Sequence, residues 1–343
     1  MDKQTKLAVI GCGFWAQYQI SAWKELHGVE IVAVCDSDHI KAEKTASRHG
    51  VKNHYADPAK LFANETPDFV DIISSIPSHA PLVHQAAAAG VDVICQKPMA
   101  EDFDTCKEMV AACKKAGVSF FIHENFRWQT PVRTCKQLID DGKIGKPFKA
   151  RLTFCSGFPV FDNQPALAEL DRFIISDLGV HILDMSRFLF GDAAAIYCQT
   201  QKINPSIKGE DVANMLLTMK NGVNCFIEVS YASKLEQETF PQTLMLIEGT
   251  EGSIRLDFNH TITLTRSGQG SKKIQADPPQ YPWADPDYAL IHSSVVDCNR
   301  NIFGALTGKH SGETTADDNL KTMELVFLAY ESAEKNQALS TSL

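Results

Sequence analysis

A glycine-rich turn near the amino terminus constrains the fold of this chain more than any other feature. The turn, Gly11-Cys12-Gly13-Phe14-Trp15-Ala16, follows a short apolar strand and precedes a helical run, after which a second apolar strand ends in Asp36. In such a unit the first glycine permits a tight turn, the second lets the backbone approach a pyrophosphate, and a small third residue lets helix and strand pack closely. The pattern therefore predicts a dinucleotide-binding βαβ unit, in which the cofactor lies against Gly11, Gly13, Phe14 and Trp15.

Asp36 indicates which dinucleotide this unit binds. A carboxylate at the end of the second strand accepts hydrogen bonds from the adenosine ribose hydroxyls and repels a 2′-phosphate. The next residues add a second acid, Asp38, and no arginine, although Lys41 and Arg48 follow in the predicted helix. NAD is therefore predicted in preference to NADP. Asp36 could also cap the helix that begins near His39, and the two roles are compatible.

Length and charge exclude several classes of protein. The 343 residues, of which 44% are hydrophobic and 22% charged, suffice for two domains with separate cores. A net charge of -9 leaves no basic block to meet nucleic acid or an anionic membrane. No apolar run approaches the ~20 residues of a membrane span, and the polar start Met1-Asp2-Lys3-Gln4 has no signal-peptide core. We therefore expect a cytoplasmic protein with neither nucleic acid nor membrane as a partner.

The cysteines argue against a metal centre. The ten cysteines are scattered singly, with no Cys-x-x-Cys pair and no cluster with histidine at metal-ligand spacing. Several lie inside apolar strands, as Cys35, Cys95, Cys155 and Cys225 do, and are expected to be reduced core residues. The prediction is that no metal takes part, which separates this chain from the zinc-dependent alcohol dehydrogenases.

Short apolar runs alternate with helical runs up to about residue 124. This alternation predicts an α/β domain over residues 1–124, built on a doubly wound parallel sheet whose ligands lie off the carboxyl ends of the strands. The fourth and fifth predicted strands deliver six residues to that edge: Ser75, Ile76, Pro77, His79, Gln96 and Lys97. We predict that they border the cofactor, with Lys97 close enough to the nicotinamide to act on a substrate oxygen. The plain alternatives are a helix-start histidine at 79 and a surface lysine at 97.

The pattern beyond Pro131 is that of a different kind of domain. A helix from Val132 to Asp140 is followed by apolar runs of alternating character, separated by turn signals such as Lys220-Asn221-Gly222. Two further helical runs close the chain. We predict a second, α+β domain over residues 125–343, with an open, largely antiparallel sheet.

Five segments together resemble the Gfo/Idh/MocA oxidoreductases, a family of NAD(P)-dependent dehydrogenases that act mostly on sugars, inositols and related polyols. The segments are the glycine turn, Gln96-Lys97-Pro98, Asn125-Phe126-Arg127-Trp128, the run from Asp177 to Asp184, and the run from Gly312 to Glu334. The resemblance spans nearly the whole chain and implies a Rossmann domain followed by a substrate-binding and oligomerisation domain. It also implies a catalytic set of Lys97, Asp177 and His181, and a cis bond before Pro98.

The chemistry of these three residues suits the implied roles. Asp177 and His181 are four residues apart at a predicted helix start, so both can address one substrate hydroxyl. Histidine titrates near neutral pH and can remove the hydroxyl proton while hydride leaves the carbon. Lys97 could stabilise the developing alkoxide, and Asp177 could fix the substrate or the imidazole. On spacing alone, such a pair would be surface or capping chemistry.

The chain departs from the family at Gln96, because the family's tripeptide begins with glutamate. Without that carboxylate, the proton affinity of Lys97 should be lower. For the sugar, the sequence offers polar and aromatic groups: Asn125, Arg127, Trp128, Phe158 and Asp162. The alternatives are an ordinary hinge, a mobile loop and an arginine that packs structurally.

These observations predict an NAD-dependent dehydrogenase that oxidises a hydroxyl of a small neutral sugar, and within the family the chain is most similar to aldose-oxidising enzymes. Oxidation at an anomeric carbon would give a lactone, and oxidation at a ring carbon would give a keto-sugar or an inosose. An inositol dehydrogenase, a non-catalytic NAD-sensing regulator and an NAD-dependent glycosidase remain alternatives. The broad sheet of the second domain needs a cover, which predicts a homodimer or homotetramer, and the family resemblance implies the same.

Overall fold

The computed structural model describes residues 4–343 as two compact units. The first unit contains the residues up to Asn125 together with 281–285 and 295–323, and the second contains 126–280, 286–294 and 324–343. The chain leaves the first unit within one residue of the predicted boundary, but it returns to that unit twice, in segments that we assigned to the second domain. Helical periodicity could not reveal this return, because it reports that a face is buried and not which sheet buries it. The predicted polar start at residues 1–3 lies outside the described part.

The first unit contains six strands and five helices in alternation. They are β1 (Thr5–Ile10), α1 (Ala16–Lys24), β2 (Val29–Cys35), α2 (His39–His49), β3 (Asn53–Tyr55), α3 (Pro58–Glu65), β4 (Phe69–Ile72), α4 (Ile76–Ala88), β5 (Asp92–Gln96), α5 (Phe103–Ala116) and β6 (Phe120–His123). The sheet has the order β3-β2-β1-β4-β5-β6, and every neighbouring pair is parallel. The predicted doubly wound parallel sheet is confirmed. Its strand order reverses between β1 and β4, where such sheets bind their ligands.

Helix α4 begins earlier than its composition suggested. The small-residue run from Ala80 to Ala89 predicts a start at Ala80, but the first helical residue is Ile76, with Pro77 in the first turn and Ser75 at the N-cap. Proline fits this position because the first turn needs no backbone N–H donor, and its fixed φ suits a helix. Ile76, Pro77 and His79 therefore belong to a helix and not to the loop in which we expected them.

The second unit is built on a larger sheet. Its elements are α6 (Thr130–Asp140), β7 (Pro147–Cys155), α7 (Val160–Asn163), α8 (Val180–Phe190), β8 (Ala193–Gln201), β9 (Val212–Met219), β10 (Asn224–Ser230), β11 (Leu244–Gly249), β12 (Gly252–Asp257), β13 (Thr261–Arg266), β14 (Gly270–Gln275), α9 (Ala289–Leu306), α10 (Ala316–Lys335) and β15 (Leu339–Ser340). Helices α9 and α10 each contain residues of both units. The sheet order is β14-β13-β12-β11-β7-β10-β9-β8-β15, and only β7 and β10 pair in parallel. The predicted open and largely antiparallel sheet is confirmed.

The sequence did not reveal strand β14. The strand contains Lys272 and Lys273, lies at the edge of the sheet and is exposed along most of its length, so it shows no apolar alternation. Edge strands of this kind are held by backbone pairing and protected from further pairing by their charges. None of the helices between residues 4 and 343 is long and apolar enough to cross a membrane.

Candidate active site

The glycine turn has the shape that a pyrophosphate requires. Gly11 has a φ of +104°, and a Cβ atom there would lie 2.2 Å from the carbonyl oxygen of Ile73, so only glycine fits. Gly13 is exposed, and a Cβ atom built on it would meet nothing within 4 Å. Helix α1 follows without a side-chain cap, so N–H groups of its first turn remain available to an anion. The turn therefore fits the dinucleotide that the sequence predicts.

Asp36 is held next to this turn by two backbone amides. Its Oδ2 accepts a hydrogen bond from the backbone N–H of Cys12 at 2.8 Å, and its Oδ1 accepts one from the backbone N–H of Asp38 at 2.9 Å. The cap of α2 is Asp38, whose carboxylate accepts from Ile40 and Lys41. Capping of α2 therefore does not occupy the Asp36 carboxylate, and its contact with the ribose remains a prediction.

His79 has a role that differs from the predicted one. Its side chain is fully buried, with Nδ1 3.1 Å from the carbonyl oxygen of Pro98 and Nε2 3.1 Å from that of Ser74. Burial lowers the pKa of His79, against the effect of these carbonyls, and a neutral imidazole donates from one nitrogen only. The imidazole is packed between the loop after β4 and the loop after β5 and hydrogen-bonds one of the two carbonyls, and we no longer assign it a direct contact with the cofactor. Ser75 and Pro77, by contrast, are exposed at the start of α4.

Gln96 ends β5 as a buried residue, and the half-buried Lys97 follows it. The bond between Lys97 and Pro98 is cis, as the family resemblance implied. The Gln96 side chain donates to Oε1 of Gln19, whose Nε2 donates to Oδ2 of Asp71 at 2.7 Å. Burial raises the pKa of Asp71 to about 7, although hydrogen bonds from Trp23 and Gln19 oppose the shift.

The sequence analysis missed Asp71 and Gln19. Two signals could have identified them. One is a lone acid inside the otherwise apolar strand β4. The other is the spacing of Gln19 and Trp23, which places both side chains on one face of α1, and both donate to that acid.

In the second unit, Asp177 and His181 flank a change of helix type. Residues Ile175–Gly179 form a π-helical turn, which runs directly into α8, where we predicted a regular helix start. Single π turns occur frequently at functional sites. His181 is buried and lies flat against Phe126, with ring centroids 3.8 Å apart and 7° between the planes. This stack fixes the plane of the imidazole, while Asp177 remains half-buried.

Tyr231 is a further candidate that the sequence analysis missed. It follows β10, stacks on Phe173 at 5.9 Å between centroids, and is half-buried. Burial, with a contribution from the negative charge of Asp177, raises the pKa of Tyr231 well above its ordinary value. The phenol is therefore neutral and can donate a hydrogen bond near Asp177. An aromatic residue at the end of a strand is the only signal that the sequence offered.

Phe158, predicted to bind the sugar, belongs to an aromatic cluster. Its ring stacks on Phe240 with centroids 3.9 Å apart and 7° between the planes, and Tyr288 meets both rings edge-on. An aromatic face of this kind is suited to the C–H face of a sugar ring. Asp162, also predicted to bind substrate, is exposed on α7.

Glu238 holds the two segments that carry this stack. Its carboxylate accepts hydrogen bonds from four donors: Ser156 Oγ at 2.7 Å, Gly157 N at 3.0 Å, Thr239 N at 2.8 Å and Phe240 N at 2.9 Å. Desolvation alone would raise the pKa of Glu238, but these hydrogen bonds outweigh it and hold the pKa below its ordinary value.

Arg127, which we predicted to bind substrate, is engaged in a buried ion pair. Its buried guanidinium forms a bidentate pair with Asp184, with Nε 2.8 Å from Oδ2 and Nη2 2.6 Å from Oδ1. Trp128 is also buried, and the Arg133 guanidinium lies 4.3 Å from the centre of its ring. Asn125 is buried at the end of the first unit. Arg127 is thus a structural residue, whereas Asn125 and Trp128 remain candidates.

Over residues 4–343, no group of three or more histidine, cysteine, aspartate or glutamate side chains is arranged to hold a metal ion.

Two family models together cover most of the chain. The model described as the oxidoreductase family with an NAD-binding Rossmann fold matches residues 5–124, and the GFO/IDH/MocA C-terminal domain matches residues 132–255. The first match confirms the predicted Rossmann fold, the NAD cofactor and the class of oxidoreductase.

Comparison with individual proteins points the same way. The chain is 44% identical to D-apiose dehydrogenase from Rhizobium rhizogenes over 98% of this chain and 97% of that one. It is 42% identical to D-apiose dehydrogenase from Paraburkholderia graminis, over 98% and 90% of the two chains. The crystal structure of an oxidoreductase from Agrobacterium radiobacter in complex with NAD+, L-tartaric acid and magnesium matches with a TM-score of 0.96 and 43% identity, over 98% of both chains. Relatives named as inositol dehydrogenases match at 28–31% identity over 54–65% of the chain. The chain belongs to the Gfo/Idh/MocA family of NAD-binding oxidoreductases.

Proposed function

We propose that this protein is an NAD-dependent dehydrogenase that oxidises a hydroxyl of D-apiose, or of a closely related neutral sugar. The observation that carries this proposal is the fixed imidazole of His181 on the same helical segment as Asp177, in the second unit. Two relatives with more than 40% identity are named for this sugar, and they match the chain almost from end to end. That similarity confirms the prediction of a sugar dehydrogenase.

In the proposed mechanism, His181 accepts the proton of the substrate hydroxyl while the carbon gives up hydride. Stacking on Phe126 keeps the imidazole in one plane, so its nitrogen does not have to be oriented again in each turnover. Asp177 holds the substrate or the imidazole, and Tyr231 offers a neutral donor nearby. Lys97 is assigned the stabilisation of alkoxide charge. NAD, when bound, supplies the acceptor for the hydride.

A neutral substrate is favoured by the charges of the second unit. The Arg127 guanidinium, which could have bound an acid, is committed to Asp184. The stacked pair of Phe158 and Phe240 offers an apolar face instead. These features favour an uncharged sugar over a sugar acid.

We also propose that two or four copies associate through the outward face of the large sheet. Three large apolar side chains are exposed on its strands, Phe148 (47% exposed), Phe226 (40%) and Leu246 (38%). A shallow hollow of about 290 Å³ on the same sheet is lined by residues of β7, β8, β9 and β10. Apolar strands of this kind are usually covered by another surface.

A cytoplasmic location is proposed from protonated core thiols such as Cys106 and Cys135, which suit a reducing compartment.

A substrate panel tests the proposed function. Purified protein with NAD or NADP is mixed with apiose, other aldoses, inositols and sugar acids, and NADH or NADPH formation is followed by absorbance. The proposal predicts turnover with NAD and apiose that exceeds turnover with any inositol. Preference for an inositol would favour the alternative dehydrogenase. NAD binding without turnover on any compound would favour a sensor, and turnover without net NADH would favour the glycosidase cycle.

A further inference from the structure

Three buried polar side chains in the first unit form a continuous hydrogen-bonded chain that ends next to Lys97. Asp71 lies in the central strand β4, Gln19 on α1 and Gln96 at the end of β5. Asp71 and Gln19 are fully buried, and Gln96 is 8% exposed. Gln19 Nε2 donates to Asp71 Oδ2 at 2.7 Å, and the Gln96 amide donates to Gln19 Oε1.

The direction of donation along this chain is fixed at its buried end. Trp23 Nε1, which can only donate, lies 2.7 Å from the same Oδ2 of Asp71. Oδ2 is therefore an acceptor, and Gln19 must turn its NH2 group toward it. The Gln19 carbonyl then faces position 96, which has to supply a donor. Gln96 meets this need with its NH2 group, so its own carbonyl oxygen is the atom that does not face Gln19.

The same geometry disfavours a second ionised carboxylate. In Gln96→Glu the new carboxylate would face the Gln19 carbonyl, oxygen against oxygen. Gln19 could turn over to donate to it, but its carbonyl would then face Asp71 Oδ2. That arrangement is stable only if Asp71 takes up a proton.

The interactions described for Asp71 within residues 4–343 include no cation. Its partners on the neighbouring strands are Val9 and Ile94, and the titratable group beside it is the Cys95 thiol. Burial raises the pKa of Cys95 well above its ordinary value, with a further contribution from Asp71, so the thiol is neutral. The three hydrogen-bonded side chains of Asp71, Gln19 and Gln96 can therefore carry one negative charge and not two.

We propose that Asp71 and Gln19 are positioning residues that act through Gln96, fixing it as a neutral hydrogen-bond acceptor beside Lys97. The three linked side chains hold at most one negative charge, at Asp71, and an amide at position 96 adds no second one. The effect on turnover rests on the proposed function, since it requires Lys97 to act on the substrate. The coupling between residues 71 and 96 in the folded protein does not depend on the proposed function.

A double-mutant cycle tests the coupling. The cycle compares wild type, Asp71→Asn, Gln96→Glu and the double variant in thermal unfolding at pH 6 and pH 8. Gln96→Glu should lower the melting temperature more at pH 8, because its folded state must hold an extra proton. In the double variant residue 71 cannot ionise, so no proton has to be taken up there when position 96 carries a carboxylate. The pH-dependent loss should therefore disappear in the double variant.

The same four proteins give a second readout in turnover. Gln96→Glu should lower kcat about tenfold at pH 8 and shift the pH profile, and Asp71→Asn should restore part of the loss, since coupled neighbours are non-additive. Gln19→Leu should likewise lower kcat with little change in the KM for NAD. Gln17→Leu is its matched control on the exposed side of α1, where Gln17 accepts from Arg48, and should stay within about twofold of wild type.

Independent, additive effects of the two substitutions in unfolding at both pH values would overturn the proposal. The proposal would also be overturned if the two substitutions were coupled in their effect on unfolding but additive in their effect on kcat. The hydrogen-bonded side chains would then have only a structural role. If wild type turns over no sugar, the proposed function fails, and the unfolding cycle alone decides whether residues 71 and 96 share one charge.

Discussion

The imidazole of His181 lies flat against the ring of Phe126, 3.8 Å away between centroids and within 7° of parallel. Such a contact holds a histidine in one orientation without using either of its ring nitrogens. The residue that orients the proposed base therefore lies in the segment Asn125-Phe126-Arg127-Trp128, which the sequence suggested only for substrate binding.

Phe126→Leu should lower kcat by about tenfold while leaving NAD affinity unchanged, because the imidazole would gain freedom to rotate out of its reactive plane. Steady-state kinetics and a cofactor titration measure the two effects. Phe161→Leu is the matched control, since Phe161 packs on Phe173 and has no ring contact with His181. Equal losses of kcat in both variants would show that general loosening, and not the stack, is responsible.

Asp36→Ser should raise the KM for NAD by about ten- to a hundredfold, because the ribose hydroxyls lose their charged acceptor and Cys12 N loses its partner. The KM for NADP should fall, as the repulsion of a 2′-phosphate is removed. Initial rates with both cofactors at saturating sugar measure the change. An unaltered ratio of NAD to NADP preference would contradict the role assigned to Asp36.

Arg127→Met should reduce the free energy of unfolding by about 3–5 kcal/mol, because it leaves the Asp184 carboxylate buried without its bidentate partner. Denaturant unfolding measures the loss. The double variant Arg127→Met with Asp184→Leu should recover much of it, since both charges are then removed. A raised KM for the sugar with unchanged stability would instead restore Arg127 as a substrate-binding residue.

Glu238→Gln should raise the KM for the sugar by about two- to tenfold with little change in kcat, because the stacked rings of Phe158 and Phe240 lose their shared anchor. The pKa of Glu238 is held low, so its contribution is complete above the ordinary pKa of glutamate and is lost as pH falls through the folded value. The KM of wild type should therefore rise at acid pH, and that of the variant should not. Glu236→Gln, which changes an exposed residue in the same segment, is the control. If the KM for the sugar rises at acid pH in Glu238→Gln as much as in wild type, Glu238 is not the anchor of the stacked rings.

Local sequence patterns were sufficient to predict the βαβ unit that binds the nucleotide. The glycine turn, the apolar strands and the helix caps are short-range features, so β1, α1 and β2 were predicted together with their ligand. The nucleotide site could be inferred for the same reason, because Gly11, Gly13 and Asp36 belong to one βαβ unit.

The parts that could not be predicted depend on contacts between distant segments. Gln19 forms hydrogen bonds with Asp71, 52 residues away, and with Gln96, 77 residues away. The sequence around each residue does not predict either contact. His79 was misplaced for the same reason, because its carbonyl partners lie in a loop that folds over it. The bidentate partner of Arg127 is 57 residues away, which hid its structural role.

The most direct test of the account is NADH formation from D-apiose by wild type and His181→Ala, with NAD binding measured on both proteins. Wild type should turn over, and the variant should lose about 10²- to 10⁴-fold in rate while binding NAD normally, as expected for removal of a general base. His84→Ala, at an exposed position of α4, should behave as wild type. Wild-type protein that binds NAD but oxidises no sugar, or a His181→Ala variant with the full rate, would contradict the account.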